Sequence, residues 1–142
     1  MISLSPSLSS AGVRRFVAAF LSWLVPFVVA IPFYGNGGRL LISTDLFKSL
    51  MIVVSAVTAA LLIIWFSRSV RSGYTREGIV TGIVWLFVNW VLDLIVLVGL
   101  LGMPLPVYAA QVGLRYLMIP AIVIATGVVA DEAVLRIQPQ GR

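Results

Sequence analysis

The sequence predicts an all-α protein, a bundle of four membrane-crossing helices joined by short loops, with both termini on the same side. Three observations carry this expectation. Of the 142 residues, 61% are hydrophobic and only 11% are charged, whereas a soluble domain has about 45–50% and about 25% respectively. Mean hydropathy is +1.10. Four apolar stretches approach the length of about 20 residues that a spanning helix needs, and the basic residues flank them. The whole chain, 1–142, reads as a single integral membrane domain whose first partner is the lipid bilayer.

The first span runs over 16–34. Arg14 and Arg15 precede it as they would a signal peptide. The apolar run, however, exceeds the roughly 7–15 residues of a signal-peptide core, and no small-residue cleavage site follows. An uncleaved anchor helix is expected. The second span covers 49–66, after Gly35-Asn36-Gly37-Gly38-Arg39. Residues Ile52 to Phe66 have no polar face, as a soluble amphipathic helix would. Ser55 and Ala59 are spaced for helix packing. The third span, 78–101, follows a polar loop from Ser67 to Glu77. The fourth, 105–130, follows the tight Gly102-Met103-Pro104. Gly, Asn and Pro break helices at each junction. Met1 to Ser10 and Ile137 to Arg142 read as loose tails, and Asp131 with Glu132 as a solvated helix end.

With four spans, both termini and the middle loop share one side. That side holds Arg14, Arg15, Arg68, Arg71, Arg76, Arg136 and Arg142, against Arg39 and Lys48 on the other. The excess of basic residues places both termini in the cytoplasm. The net charge of +5 is therefore a topology signal, and no nucleic-acid partner is expected. The arginines of the middle loop could also attract anionic lipid. Tyr34, Trp65 and Tyr74 stand where interfacial aromatics belong.

Cysteine and histidine are both absent. A thiolate nucleophile, a zinc–thiolate site, an iron–sulfur cluster and histidine acid–base chemistry are thereby excluded. No metal and no cofactor is expected, and the chain does not read as an enzyme. Asp93 with Tyr108 or Tyr116 is too thin a constellation for acid–base work on a lipid.

The informative residues are the polar ones inside the spans. An ionisable residue at the centre of a spanning helix costs about 2.5–3.5 kcal/mol on insertion scales. Asp93 lies within the third span and Arg115 within the fourth. Counted from the hairpin between them, both lie roughly 12–15 Å deep at 1.5 Å per residue. The spacing therefore predicts an Asp93–Arg115 ion pair at matched depth. At 100° per residue Gly78, Gly82, Trp85, Asn89 and Asp93 share one face of the third helix. On the fourth, Tyr108, Gln111, Arg115 and Thr126 share another. Asn89, Asp93, Gln111 and Arg115 thus form an expected polar seam, with Trp85, Tyr108 and Tyr116 as possible further members. Gly78 and Gly82 stand in the G-x-x-x-G spacing that lets backbones approach. Pro120 removes a helix hydrogen bond nearby.

Glu77-Gly78, Gly82, Trp85, Asn89 and Asp93, then Tyr108, Gly113, Tyr116 and Pro120, form a series. With Trp23, Pro26 and Phe27 it resembles a group of small, uncharacterised four-helix membrane proteins of archaea and bacteria. The resemblance spans most of the chain. It implies a four-helix fold, the cytoplasmic membrane of a prokaryote, and no activity. Lys48 to Ile52 is also similar to Arg115 to Ile119, and Trp23-Leu24 to Trp85-Leu86. Such matches would make the two hairpins a parallel repeat, though chance among apolar residues yields the same pattern.

Two functions remain. One is a non-enzymatic structural protein that packs with itself or with a larger membrane complex. The other is a small oligomeric channel or transporter using the polar seam between the third and fourth helices. A sealed pair at Asp93 that touches both helices favours the first, and a polar crevice at Asp93 open to either surface favours the second.

Overall fold

A computed structural model describes residues 6–137. The described chain is all-helical apart from one isolated bridge. Four helices are long and apolar enough to cross a membrane, over Gly12–Phe33, Thr44–Ser67, Tyr74–Leu100 and Gly113–Ile137. Five α-helices build these crossings, because the last one is broken.

Helix α1 covers Pro6–Ala30 and closes in a 3-10 turn over Ile31–Phe33. It starts inside the Ser-rich stretch expected to be loose; Met1 to Ser5 lie outside the described residues. Pro26 sits within α1 and donates no bond to the Ser22 carbonyl. The chain reverses through Gly37 and Gly38, both at positive φ, a conformation that costs glycine little. A bridge between Tyr34 and Leu40 closes this loop. Helix α2, Thr44–Ser67, begins at Ser43, whose side chain accepts from the Leu46 N–H at 3.4 Å. The edge of Phe47 meets the rings of Phe33 and Tyr34 and ties the hairpin together.

Helix α3, Tyr74–Asp93, continues through a wider π-type turn over Leu94–Leu100. Gly102 at φ 69° reverses the chain, and the Met103 N–H bonds back to the Leu97 carbonyl at 2.9 Å. This is a glycine-terminated helix end. The fourth crossing is not one helix. It consists of α4 (Leu105–Gln111), a 3-10 segment (Gly113–Leu117) and α5 (Met118–Ile137). The break falls at Val112, with φ −126° and ψ −57°. Pro120 stands in the first turn of α5, where its missing N–H has no intrahelical partner to lose. Helix α5 runs through Asp131 and Glu132, past the end expected at residue 130; Gln138 to Arg142 lie outside the described residues.

Helix α3 is the hub. It packs on both α5 and α1, and α2 reaches the rest mainly through α1. The α3–α5 contact is backbone against backbone. A Cβ on Gly78 would stand 2.9 Å from the Val123 carbonyl oxygen, and one on Gly82 would stand 2.8 Å from the Pro120 Cα. On α5, a Cβ at Gly127 would drive into the Tyr74 carbonyl. The pairs Gly78–Val123, Gly82–Pro120 and Gly127–Tyr74 set an antiparallel register.

The start of α3 has an unusual cap. Gly73 precedes it at φ 64° and offers no side chain. The cap comes from α5 instead. Asp131 accepts from the Tyr74 N–H at 3.0 Å and from the Thr75 N–H at 2.7 Å. A carboxylate at a helix N-terminus satisfies two orphan donors and matches the positive end of the dipole. Asp131 is therefore a cross-helix clamp and not a freely solvated end.

A small core joins the helices where they meet. Ala18 and Ala19 of α1, Trp85 of α3 and Val123 of α5 are buried, and Leu62 and Ile63 of α2 pack against them. Everything else apolar on α2 is partly or largely exposed except Phe66. Such exposure suits lipid, because lipid tails are as apolar as leucine.

Candidate functional site

The polar residues of α3 form a continuous row, and α1 supplies most of their partners. At the arginine-rich end of the bundle, Arg15 pairs with Glu77. Its Nε donates to Thr81 Oγ1 at 3.1 Å, and its guanidinium lies 5.8 Å from the Phe66 ring centroid. The Trp85 indole N–H, in turn, donates to the Arg15 carbonyl at 3.2 Å. Arg15 thus joins α1, α2 and α3, beyond any role in topology. A cavity of about 120 Å³ adjoins this network, between α2, α3 and α5. Ile63, Phe66, Glu77, Thr81, Val123 and Gly127 are among its walls.

Deeper along α3, Asn89 donates to Ser22 Oγ at 3.0 Å and to the Trp85 carbonyl at 2.8 Å. One turn further, the Trp23 indole N–H donates to Asp93 Oδ1 at 2.7 Å. The Trp23 ring is held by stacking on Phe27, with centroids 4.9 Å apart. Tyr108 and Tyr116 face the same carboxylate from the fourth crossing. Close by, the Trp90 indole N–H donates to the Gly113 carbonyl at 3.1 Å, which anchors the 3-10 segment on α3. The parallel alignment of α1 with α3 pairs Arg15 with Glu77, Ser22 with Asn89, and Trp23 with Asp93.

The structure gathers Trp85, Asn89, Asp93, Tyr108 and Tyr116 on one side of α3. It does not gather Gln111 and Arg115. Both are exposed on the outside of the bundle. The expected Asp93–Arg115 ion pair is not formed: among the described residues the ion pairs are Arg15–Glu77 and Arg136–Glu132. Two physical reasons explain the difference. The register set by the glycines places Tyr108, not Arg115, level with Asp93. Arg115 falls between the levels of Trp90 and Gly82, deeper in the span. The helical phase is also lost at Val112. A 3-10 residue advances about 120° and about 2.0 Å, against 100° and 1.5 Å in an α-helix. Tyr108, Gln111, Arg115 and Thr126 therefore share no face. Gly78, Gly82 and Pro120 meet at the α3–α5 contact, apart from the polar row.

Sequence reasoning gave no place in the seam to three residues that the structure makes central. Trp23 entered only through the resemblance and the repeat-like match, Ser22 not at all, and Arg15 as a topology marker. The signal was available in outline. Ser22 and Trp23 follow Arg15 by seven and eight residues, two helical turns, as Asn89 and Asp93 follow Thr81 and Trp85 in steps of eight. Helical rows on two parallel helices match when their spacings do.

The row is buried yet incompletely satisfied. Asn89 is 0% exposed, and Asp93 and Tyr108 are each 4% exposed. Asn89 Oδ1 has no hydrogen-bond partner, and Asp93 Oδ2 and the Tyr108 hydroxyl make no close bond, although Tyr116 and Tyr108 stand within hydrogen-bonding reach of the carboxylate. Buried polar atoms are nearly always paired, so the loosely paired end of the seam at Asp93 is unusual. No three His, Cys, Asp or Glu side chains cluster among the described residues.

No family model, curated protein or solved structure matches this chain.

Proposed function

We propose that the protein is a non-enzymatic subunit of a larger membrane assembly, held to its partner by the outer face of the broken fourth crossing. Arg115 carries this reading. Its guanidinium is exposed on the bundle surface near the middle of the span, among exposed Leu114, Leu117 and Met118. An arginine reaches only part of the way from there to the interface, since half the hydrocarbon thickness is about 15 Å. Facing lipid at that depth costs about 2.5–3.5 kcal/mol on insertion scales. A neighbouring protein that offers a carboxylate removes that cost. Intramembrane charges pair with one another or mark a path.

The partner is a different chain. The acidic residues exposed on this chain, Asp45 and Glu132, lie towards the ends of the bundle, and Asp93 is buried. A two-fold contact through Arg115 would set guanidinium against guanidinium. The reading is completed by the membrane it assumes: the cytoplasmic membrane of a prokaryote, with the arginine-rich end and both termini in the cytoplasm.

The test is the size of the species extracted from native membranes in mild detergent. Native mass spectrometry is expected to show a complex heavier than the 15.4 kDa chain. Arg115→Leu is expected to release the monomer. A wild-type monomer without a co-purifying chain refutes the proposal, and so does an Arg115→Leu complex of unchanged size.

A second reading, transport, is favoured by one observation. Among the described residues no ion pair includes Asp93, so the expected self-neutralised pair is not there to seal the seam.

A further inference from the structure

The geometry points to a binding site for one anionic phospholipid in the furrow between α2 and α5, with an acyl chain along α3 and the phosphate beside Arg68, Arg71 and Arg76. This goes beyond the assembly reading and rests on other residues.

The furrow exists because α2 leans on α1 and α5 on α3, while α2 and α5 hardly touch each other. The cavity of about 120 Å³ lies between them. On α3 its wall runs from Tyr74 to Trp85, about 16 Å of helix at about 1.5 Å per residue. A closed cavity of about 150 Å³ takes a benzene ring. A somewhat smaller volume drawn out along a helix suits a stretch of one hydrocarbon chain instead. Ile63, Phe66, Val70 and Val123 give it an apolar lining. It reaches the outside of the bundle at Thr126, which lines it and is exposed. A gap there is filled from the bilayer, because lipid tails are as apolar as leucine. The direction also fits. From Tyr74 to Trp85 the wall leads from the arginine-rich end towards the middle of the span, as an acyl chain leads away from its headgroup.

Charge complementarity selects the headgroup. Ser67 and Val70 line the furrow and are followed directly by Arg68 and Arg71; Glu77 lines it and is preceded by Arg76. All three arginines are exposed. The carboxylates at this end are engaged within the chain, Glu77 by Arg15, Glu132 by Arg136 and Asp131 by the start of α3. Among the described residues no ion pair includes Arg68, Arg71 or Arg76. Glu77 does not oppose a phosphate, because Arg15 neutralises it. Three positive charges thus stand without a counter-charge at the end of an apolar furrow. A zwitterionic lipid offers the same chain without the net charge, and free phosphate offers the charge without the chain.

The experiment is native mass spectrometry of the full chain in detergent. It is titrated with phosphatidylglycerol or with phosphatidylcholine of identical acyl chains. Phosphatidylglycerol is expected to saturate at one tightly held molecule per chain, about tenfold tighter than phosphatidylcholine. Arg68→Gln, Arg71→Gln and Arg76→Gln are each expected to weaken it about fivefold, and the triple variant to lose the preference. These exposed changes test the headgroup without disturbing the packing. Ala130→Phe, on the furrow wall, keeps every charge and is expected to weaken both lipids. Arg39→Gln at the opposite end and Arg115→Leu are expected to bind as wild type does, which separates the furrow from net charge and from the assembly surface. The proposal is overturned by equal affinity for the two lipids, or by adducts that accumulate without a saturable first site. It is overturned equally by a triple variant that keeps the preference, or by Ala130→Phe that is folded by circular dichroism and binds phosphatidylglycerol unchanged. Displacement of the lipid by inorganic phosphate, or binding that begins only once a co-purifying polypeptide is removed, also overturns it.

Discussion

Replacing Trp23 with phenylalanine asks which helix holds Asp93. The substitution keeps an aromatic ring to stack on Phe27 and removes only the indole N–H, which lies 2.7 Å from Asp93 Oδ1. Interhelix hydrogen bonds in membranes average about 0.6 kcal/mol and reach about 1.7. The upper part of that range applies here. Asp93 is buried and the Trp23 indole is its one short bond, and leaving a buried group under-satisfied costs about 1–3 kcal/mol. Trp23→Phe is therefore expected to destabilise by about 1.5 kcal/mol. Asp93→Leu leaves the indole N–H bare in its turn. In the double variant neither group is left unpaired, and the coupling energy is expected to be about 1–2 kcal/mol. The matching cycle of Asp93→Leu with Arg115→Leu is expected to show coupling near zero, because the two side chains do not meet. Both cycles are read from reversible unfolding in mixed detergent–dodecyl sulfate micelles by circular dichroism. A Trp23–Asp93 coupling under about 0.3 kcal/mol, or an Asp93–Arg115 coupling of similar size to it, would refute the packing described here.

Three further outcomes are expected in the same assay. Gly127→Ala forces α5 off the start of α3, where a Cβ meets the Tyr74 backbone; overpacking of about 1–3 kcal/mol outweighs the helix gain of about 1, whereas Gly12→Ala, with nothing within 4 Å, is expected to stabilise by up to about 1 kcal/mol. Asp131→Ala removes the cap on Tyr74 and Thr75 and is expected to lower the unfolding midpoint, while Glu132→Ala, in an exposed i,i+4 pair with Arg136, is expected to leave it nearly unchanged. Arg15→Met strands Glu77, and since both side chains are partly exposed the loss is expected to stay near 1 kcal/mol, with Arg15→Met/Glu77→Met recovering part of it.

The four crossings were legible because a bilayer demands long apolar helices and little else does. The face of α3 was legible for a related reason. In lipid the inward side is marked by small and polar residues, so Gly78, Gly82, Trp85, Asn89 and Asp93 stood out against an otherwise uniform background. The partner of that face was not legible. Pairing Asp93 with Arg115 assumed that the fourth crossing is a single α-helix, and nothing in Gln111-Val112-Gly113 announces a break as a proline would. Opposite charges also draw attention that an indole N–H does not. The aspartate found a neutral donor on α1, and the arginine turned outward. Asp131 was misread because a cap is sought within its own helix, and this one crosses from α5 to a helix that starts on a bare glycine.

One stripe of α3 serves two neighbours, and the contacts differ in kind. Toward α5 it presents glycine, and affinity comes from close backbone approach, which a single methyl can spoil. Toward α1 it presents Glu77, Thr81, Trp85, Asn89 and Asp93, and affinity comes from hydrogen bonds whose spacing α1 must match. Close packing is intolerant of displacement. A row of hydrogen bonds can slide or open, because each donor can exchange one acceptor for another nearby. Asp93 stands where the two kinds of contact meet, bonded to Trp23 of α1 and faced by Tyr108 and Tyr116 of the fourth crossing. Arg115, on that same crossing, is exposed on the outside of the bundle. The break at Val112 is what lets one crossing present tyrosines inward to the seam and an arginine outward.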